Sequence, residues 1–298
     1  MTGAAPPHPV LFGEVLFDCF PDGSTVLGGA PLNVARHLHA FGFTPLLLSA
    51  VGVDLLGEQL LARLEALGLE TRGIGVDPHH PTGTVAVALA AGEPAFTIRP
   101  EVAWDFITSD PVELPAVAGL LYHGSLALRR VAARTAFEQL RQRLGAPVFL
   151  DVNLRAPWWS RDEVRALIAG ARWIKLNRDE LTALAGAGDE AAAVGELRDL
   201  GDVELVVVTR GAAGAAAYPR AGRALTVAPD PAGVRVVDTV GAGDAFASVL
   251  ICGLLRDWPL ATTLERAQAF ASRIVGVRGA LPDDPTLHRA TRTAWEHA

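Results

Sequence analysis

Gly241-Ala242-Gly243-Asp244 stands between Val237-Asp238-Thr239-Val240 and an apolar run ending at Leu255, a spacing that suits an anion site with a base at its edge. Glycines at 241 and 243 let consecutive backbone N–H groups turn into one space at a helix N-terminus. Asp244 follows at the lip, placed to take a proton from a hydroxyl as charge develops over the amides. The helix dipole is expected to keep this carboxylate ionised, and the loose transition state of phosphoryl transfer tolerates a weak base. The same letters also describe a glycine turn with an ordinary capping aspartate, so the other motifs must decide. A dinucleotide fingerprint is excluded because Phe246 holds its third glycine position. A Walker loop is excluded because the chain has no Gly-Lys pair. Lys175, the only lysine, lies inside an apolar strand, so backbone amides and arginine are expected to hold phosphate.

The elements that position this segment read as alternating strands and helices. Residues 10–17 form an apolar, β-rich run ending at Asp18, and 23–26 suit a short second strand. Gly28-Gly29 then opens a helix over 31–41 with Pro31 in its first turn. Strand 46–51 precedes a helix over 57–67 that Gly68 ends. Runs 84–89 and 94–98 around Ala91-Gly92-Glu93 read as a hairpin, wetter and shorter than a core strand and so suited to a flap. Strands 119–123, 148–151 and 173–176 precede helices 130–143, 162–169 and 179–185, and 205–209 is a further strand. This order predicts an α/β domain, a parallel sheet covered by helices on both faces with ligands at the strands' carboxyl ends. Asp18, Asn153, Asn177 and Thr209 are the polar residues there. No repeat or linker divides the chain, so residues 1–298 read as one domain with lid segments at about 18–30 and 82–108.

Half the residues are hydrophobic and a fifth charged, which excludes a disordered chain. A net charge of −7 argues against nucleic acid or an anionic membrane as partner, leaving a small ligand. Cys19 and Cys252 do not suggest a disulfide scaffold or zinc site. No apolar run approaches the roughly 20 residues of a membrane span, and residues 1–9 lack the charged and apolar regions of a leader. A cytoplasmic protein is expected. The exposed flap edge predicts a homodimer paired through the lid.

The 237–246 segment resembles the C-terminal signature of the ribokinase-like (PfkB) carbohydrate kinases, and Leu27-Gly28-Gly29-Ala30-Pro31-Leu32-Asn33-Val34-Ala35 resembles their N-terminal one. The resemblance runs from Val10 to about Pro282 and implies a three-layer α/β/α sandwich with a small β lid. It also implies an ATP-dependent sugar kinase using Mg2+. In that reading Asp244 is the base and Gly241, Ala242 and Gly243 form the anion hole; Asp18, Gly28, Gly29 and Asn33 bind sugar. Asn177-Arg178-Asp179-Glu180 is similar to the motif that orders magnesium-bound waters through Glu180, although Asn177 and Glu180 also fit a helix capping box. Thr209, Gly211 and Gly214 would run beneath the nucleotide, and Ala267 and Ala271 would enclose adenine. In this family the loop next to Asp238 and the segment after Gly279 often bind a monovalent cation such as potassium through backbone carbonyls.

Within the family the chain is most similar to fructokinases, by Gly13-Glu14, by Ala30-Pro31-Leu32-Asn33 and by Asp151-Val152-Asn153-Leu154-Arg155 followed by Trp158. Asn153 and Arg155 would lie between sugar and nucleotide, and Arg99 would reach the sugar. Trp104 departs from the small residues of the fructokinase branch. The expected reaction is phosphorylation of D-fructose to fructose 6-phosphate. Ribose, 2-keto-3-deoxygluconate or a nucleoside is the alternative acceptor, and a catalytically silent sugar sensor is the reading from another class.

Overall fold

Alternate residues of the central strands point to opposite faces: Leu11, Tyr122, Phe149 and Val207 join one core, and Val10, Phe12, Leu121, Leu150, Val206 and Val208 join the other. Those two cores define the layers. The structure, a computed structural model, describes residues 7–90, 93–108, 112–229, 236–277, 279 and 286–296.

In chain order the elements are β1 (His8–Phe12), β2 (Leu16–Cys19), β3 (Thr25–Gly28), α1 (Ala30–Ala40), β4 (Leu46–Gly52), α2 (Leu55–Ala66), β5 (Ile74–Asp77), β6 (Gly83–Ala90) and β7 (Glu93–Ile98). They continue with β8 (Ala118–Gly124), α3 (Val131–Leu144), β9 (Val148–Asp151), α4 (Arg161–Ala169), β10 (Trp173–Asn177), α5 (Arg178–Ala185), α6 (Glu190–Arg198) and β11 (Leu205–Thr209). The last are β12 (Ala215–Pro219), β13 (Leu225–Val227), α7 (Ala242–Leu255), α8 (Leu260–Val275) and α9 (Thr286–Glu296).

Among the described residues the main sheet has nine strands in the order β13-β12-β11-β10-β9-β8-β1-β4-β5. It is parallel except where β12 and β13 add antiparallel at one edge. Helices α1, α2, α7 and α8 cover one face and α3 to α6 the other. The three-layer α/β/α expectation therefore holds. A four-stranded sheet, β3-β2-β6-β7, forms the lid.

Two readings of the sequence are corrected here. Residues 10–17 are two strands in different sheets, because Gly13 turns the chain with φ 151 and β2 leaves to pair with β3 and β6. Asp18 thus belongs to the lid and not to the end of the first core strand. The second lid segment ends at Ile98, since residues 103–106 form a short 3-10 helix that buries Trp104 and Asp105 against β4 and α3.

Candidate active site

The apolar run after Gly243 forms α7, buried on almost every side, and such a helix must begin where its first N–H groups find other partners. Gly241 caps it in the left-handed conformation, φ 80, and leaves Asp244 in the first turn. Among the described residues the N–H groups of Gly241, Gly243 and Asp244 donate to no backbone carbonyl, and that of Ala242 makes only a long 3.4 Å contact to Thr239. Three unbonded amides at a helix N-terminus are what an anion requires. The loop before them is fastened by Asp238, whose Oδ1 accepts the Val240 N–H at 3.0 Å and whose Oδ2 accepts the Gly279 N–H at 3.0 Å.

Asn33 reaches this helix from α1: its Nδ2 donates to Asp244 Oδ2 at 2.8 Å. The Asp244 carboxyl lies at about 6, above the usual aspartate range, chiefly through burial; Asn33's hydrogen bond pulls it down, Asp151's charge pushes it up, and Lys175 and Arg155 lower it. At pH 7 the carboxylate is still mostly ionised.

Gly29 brings the lid and α1 together. Its φ is 113, and a Cβ there would lie 2.4 Å from the Glu14 carbonyl oxygen, so only glycine fits. Beside it a Cβ on Gly28 would sit 3.0 Å from Asp18 Oδ2. Asp18, pushed up to about 6 by burial, therefore stands next to the paired glycines, and Gly29 precedes Asn33 by one helical turn. Asn33 joins this group to the mouth of α7 through its bond to Asp244.

The floor of the site comes from the carboxyl ends of β9, β10 and β11. Asp151 and Lys175 are cross-strand partners in register, on the same face. Lys175 Nζ donates to both Asp151 oxygens at 2.9 Å, and a Cβ on Gly243 would lie 3.2 Å from that same Nζ. The lone lysine therefore sits beneath the anion hole. Lys175 is buried in its strand, as expected, but its head lies under Gly243. Asn153 follows with a left-handed φ of 42, and Arg155 is exposed yet close enough for its charge to lower both Glu14 and Asp244.

Asn177 and Thr209 lie side by side at the ends of β10 and β11. Asn177 Oδ1 accepts the Glu180 N–H at 2.9 Å while Glu180 Oε2 accepts the Asn177 N–H at 2.8 Å, and Glu180 Oε1 accepts the Leu154 N–H at 2.8 Å. The motif is a capping box whose carboxylate retains spare lone pairs. Among the described residues no cluster of three His, Cys, Asp or Glu side chains could hold a metal. The donor set suits a Mg2+ that arrives on phosphates and keeps its waters, not a protein cage.

Arg210 to Gly214 makes a tight turn, closed by Arg210 N–H to Gly214 O at 2.8 Å, with Gly211 and Gly214 at positive φ. It packs on Val227 and Ala228. Those two residues, with Pro229, Leu264 and Gln268, line a cavity of about 440 Å³ between β13 and α8. Ala267 is fully buried and Ala271 nearly so, in the core beneath α8. Their proposed contact with adenine is corrected accordingly: the cavity-lining positions of α8 are Ala261, Leu264, Glu265, Gln268 and Ala269, because the 267/271 row is the helix's inner stripe. Arg278 and Ala280 lie outside the described residues.

Arg99 follows β7 and is exposed; its carbonyl accepts a hydrogen bond from Arg129 Nη2 at 2.9 Å. Arg129 is itself buried, paired to both oxygens of Asp105 at 2.6 and 2.7 Å and stacked between Trp104 and Trp158. Trp104 thus fills the wall behind the lid hinge, which explains the departure seen in the sequence. Glu14, Asp151, Lys175 and Arg129 are among the buried charged side chains near the site to which sequence reasoning gave no role.

Comparison with known proteins agrees with this geometry. The model of the pfkB family carbohydrate kinases matches residues 20–287. A fructokinase of Klebsiella pneumoniae is 32% identical over 304 residues, covering 94% of this chain and 98% of that protein. The structure of a Xylella fastidiosa fructokinase with bound ATP superposes with a TM-score of 0.84 at 25% identity, covering 97% of this chain and 99% of the other. That of a Vibrio cholerae fructokinase with fructose, ADP and calcium gives 0.82 at 26% identity, covering 96% and 99%. Among the described residues no helix is long and apolar enough to cross a membrane. The chain belongs to the pfkB family of carbohydrate kinases and is an ATP-dependent sugar kinase.

Proposed function

We propose that this kinase phosphorylates D-fructose to fructose 6-phosphate with Asp244 as base. The observation that carries the mechanism is the junction of Asn33 with Asp244 beside the unbonded amides at the start of α7. The sugar binds first, against Asp18, the Gly28-Gly29 backbone and Asn33. The lid then closes, removing water that would otherwise compete as acceptor. Arg99 and Arg155 approach from the lid edge and the β9 loop, and Asn153 sits between sugar and nucleotide.

ATP lies across Thr209, Gly211 and Gly214 with its base toward the cavity at Val227 and Gln268. Mg2+, held by the phosphates and through water by Glu180 and Asn177, would neutralise charge between the β- and γ-phosphoryl groups. As the sugar oxygen bonds to Pγ, its proton passes to Asp244 and the Pγ–O bond to ADP breaks. The amides of Gly241, Ala242 and Gly243 receive the developing charge, with Lys175 behind them. The fructose assignment is supported by similarity to fructokinases over nearly the whole chain. A monovalent cation beside Asp238, a cytoplasmic location and a homodimer joined through the lid complete the proposal.

A panel of fructose, ribose, 2-keto-3-deoxygluconate and nucleosides in a coupled ADP-release assay tests the substrate. Fructose should give the highest kcat/KM. A tenfold preference for another acceptor would replace it, and sugar binding without turnover would favour a sensor. Sedimentation at micromolar concentration should give a dimer; a monomer would refute pairing through the lid.

A further inference from the structure

Glu14 stands at the bend between β1 and β2, almost wholly buried, beneath the Gly28-Gly29 turn. Its Oε2 has no hydrogen-bond partner among the described residues, nor have Asn33 Oδ1 and Tyr122 Oη. Buried polar atoms are rarely left in that condition. A bare carboxylate oxygen is the costliest of the three to leave unpaired, so the unpartnered Oε2 favours the protonated carboxyl.

The charges around Glu14 come from four elements. Burial and Asp244, on α7, oppose its ionised form; its own N–H, Arg155, in the loop after β9, and the Ala30 N–H, at the start of α1, favour it. Tyr122, on β8, feels the same Glu14, Asp151, Asp244 and Arg155 charges. Asp151 and Lys175 largely neutralise each other. Burial prevails, and the Glu14 carboxyl is pushed up to about 7, above Asp244 at about 6. Two carboxyls at one site lose their protons in sequence, and the second is retained because the first has gone.

We propose that Glu14 is a positioning acid for the transfer: it keeps its proton while Asp244 is ionised, so the site meets the ATP phosphates with one negative charge and not two. This rests on Asp244 being the base. Once Glu14 ionises, a second anion lies beside the anion hole and ATP is repelled.

The test combines kcat/KM for ATP between pH 6 and 9 with carboxyl 13C NMR titration of the free protein, in wild type, Glu14→Gln and Asp244→Asn. Wild type should lose about fivefold or more above pH 7, as expected for a like charge added at a site. Glu14→Gln, which stays neutral, should match wild type at pH 6.5 within about threefold and lack that decline. The NMR signal titrating near 7 should vanish in Glu14→Gln and move to lower pH in Asp244→Asn. An unchanged alkaline decline in Glu14→Gln, or a Glu14 signal that ignores Asp244→Asn, overturns the proposal. If Glu14→Gln does not fold, the Asp244→Asn titration alone decides. Normal turnover by Asp244→Asn would remove the base assignment, a result separate from the NMR coupling.

Discussion

Replacing Lys175 by methionine separates its two consequences for the protein. Its Nζ is held 2.9 Å from each Asp151 oxygen, and the side chains are only 8% and 1% exposed. Removing the cation leaves Asp151 as a buried, unpaired anion, which costs about 3–5 kcal/mol. That is a large part of a typical stability of about 5–15 kcal/mol. Replacing both partners, Lys175→Met with Asp151→Leu, should recover most of the loss because no orphan charge remains. Activity should not recover. A phosphoryl oxygen held at the Gly243 amide would lie roughly 5 Å from Nζ, where a unit charge is worth about 3 kcal/mol at an effective dielectric of 20. Asp151, on the far side of Nζ, offsets about half of this, leaving on the order of a tenfold loss in kcat. Urea unfolding followed by tryptophan fluorescence gives the stability, and steady-state kinetics at saturating sugar gives kcat. A single mutant within about 1 kcal/mol of wild type, or a double mutant with normal kcat, would refute the reasoning.

Two further outcomes follow from the geometry. Asp244 gains activity on losing its proton, so kcat/KM should rise as pH climbs through about 6 and fall below it; a pH-rate profile still flat at pH 5 would contradict this. Gly29→Ala places a Cβ 2.4 Å from the Glu14 carbonyl at φ 113, so it should destabilise the protein by about 2–4 kcal/mol. It should also weaken sugar binding measured by calorimetry, and a neutral substitution would show that the turn does not abut Glu14.

The layers of the fold were readable because β-branched runs such as 205–209 and amphipathic runs such as 57–67 carry their periods openly. Less readable were β12, whose Ala215-Ala216-Ala217 core lacks strand-forming side chains yet is fully buried, and the three-residue β13. The split of 10–17 was hidden because both halves are apolar, and only Gly13 marks the bend. At the site, motif residues were found by glycine and carboxylate spacing. Lys175 was missed because one cation among hydrophobes reads as strand interior. A signal did exist: Asp151 and Lys175 each stand two residues before an asparagine, Asn153 and Asn177, which in neighbouring strands places them on one face. The misplacement of Ala267 and Ala271 came from choosing the wrong stripe of α8, since small residues occur on both its faces.

The amide pocket with its facing carboxylate is tested most directly by turnover and sugar affinity of Asp244→Asn. The amide preserves shape and a partner for Asn33 but accepts no proton, so kcat should fall by about 10²–10⁴ while calorimetric sugar affinity stays within about threefold. Turnover near that of wild type would contradict the account.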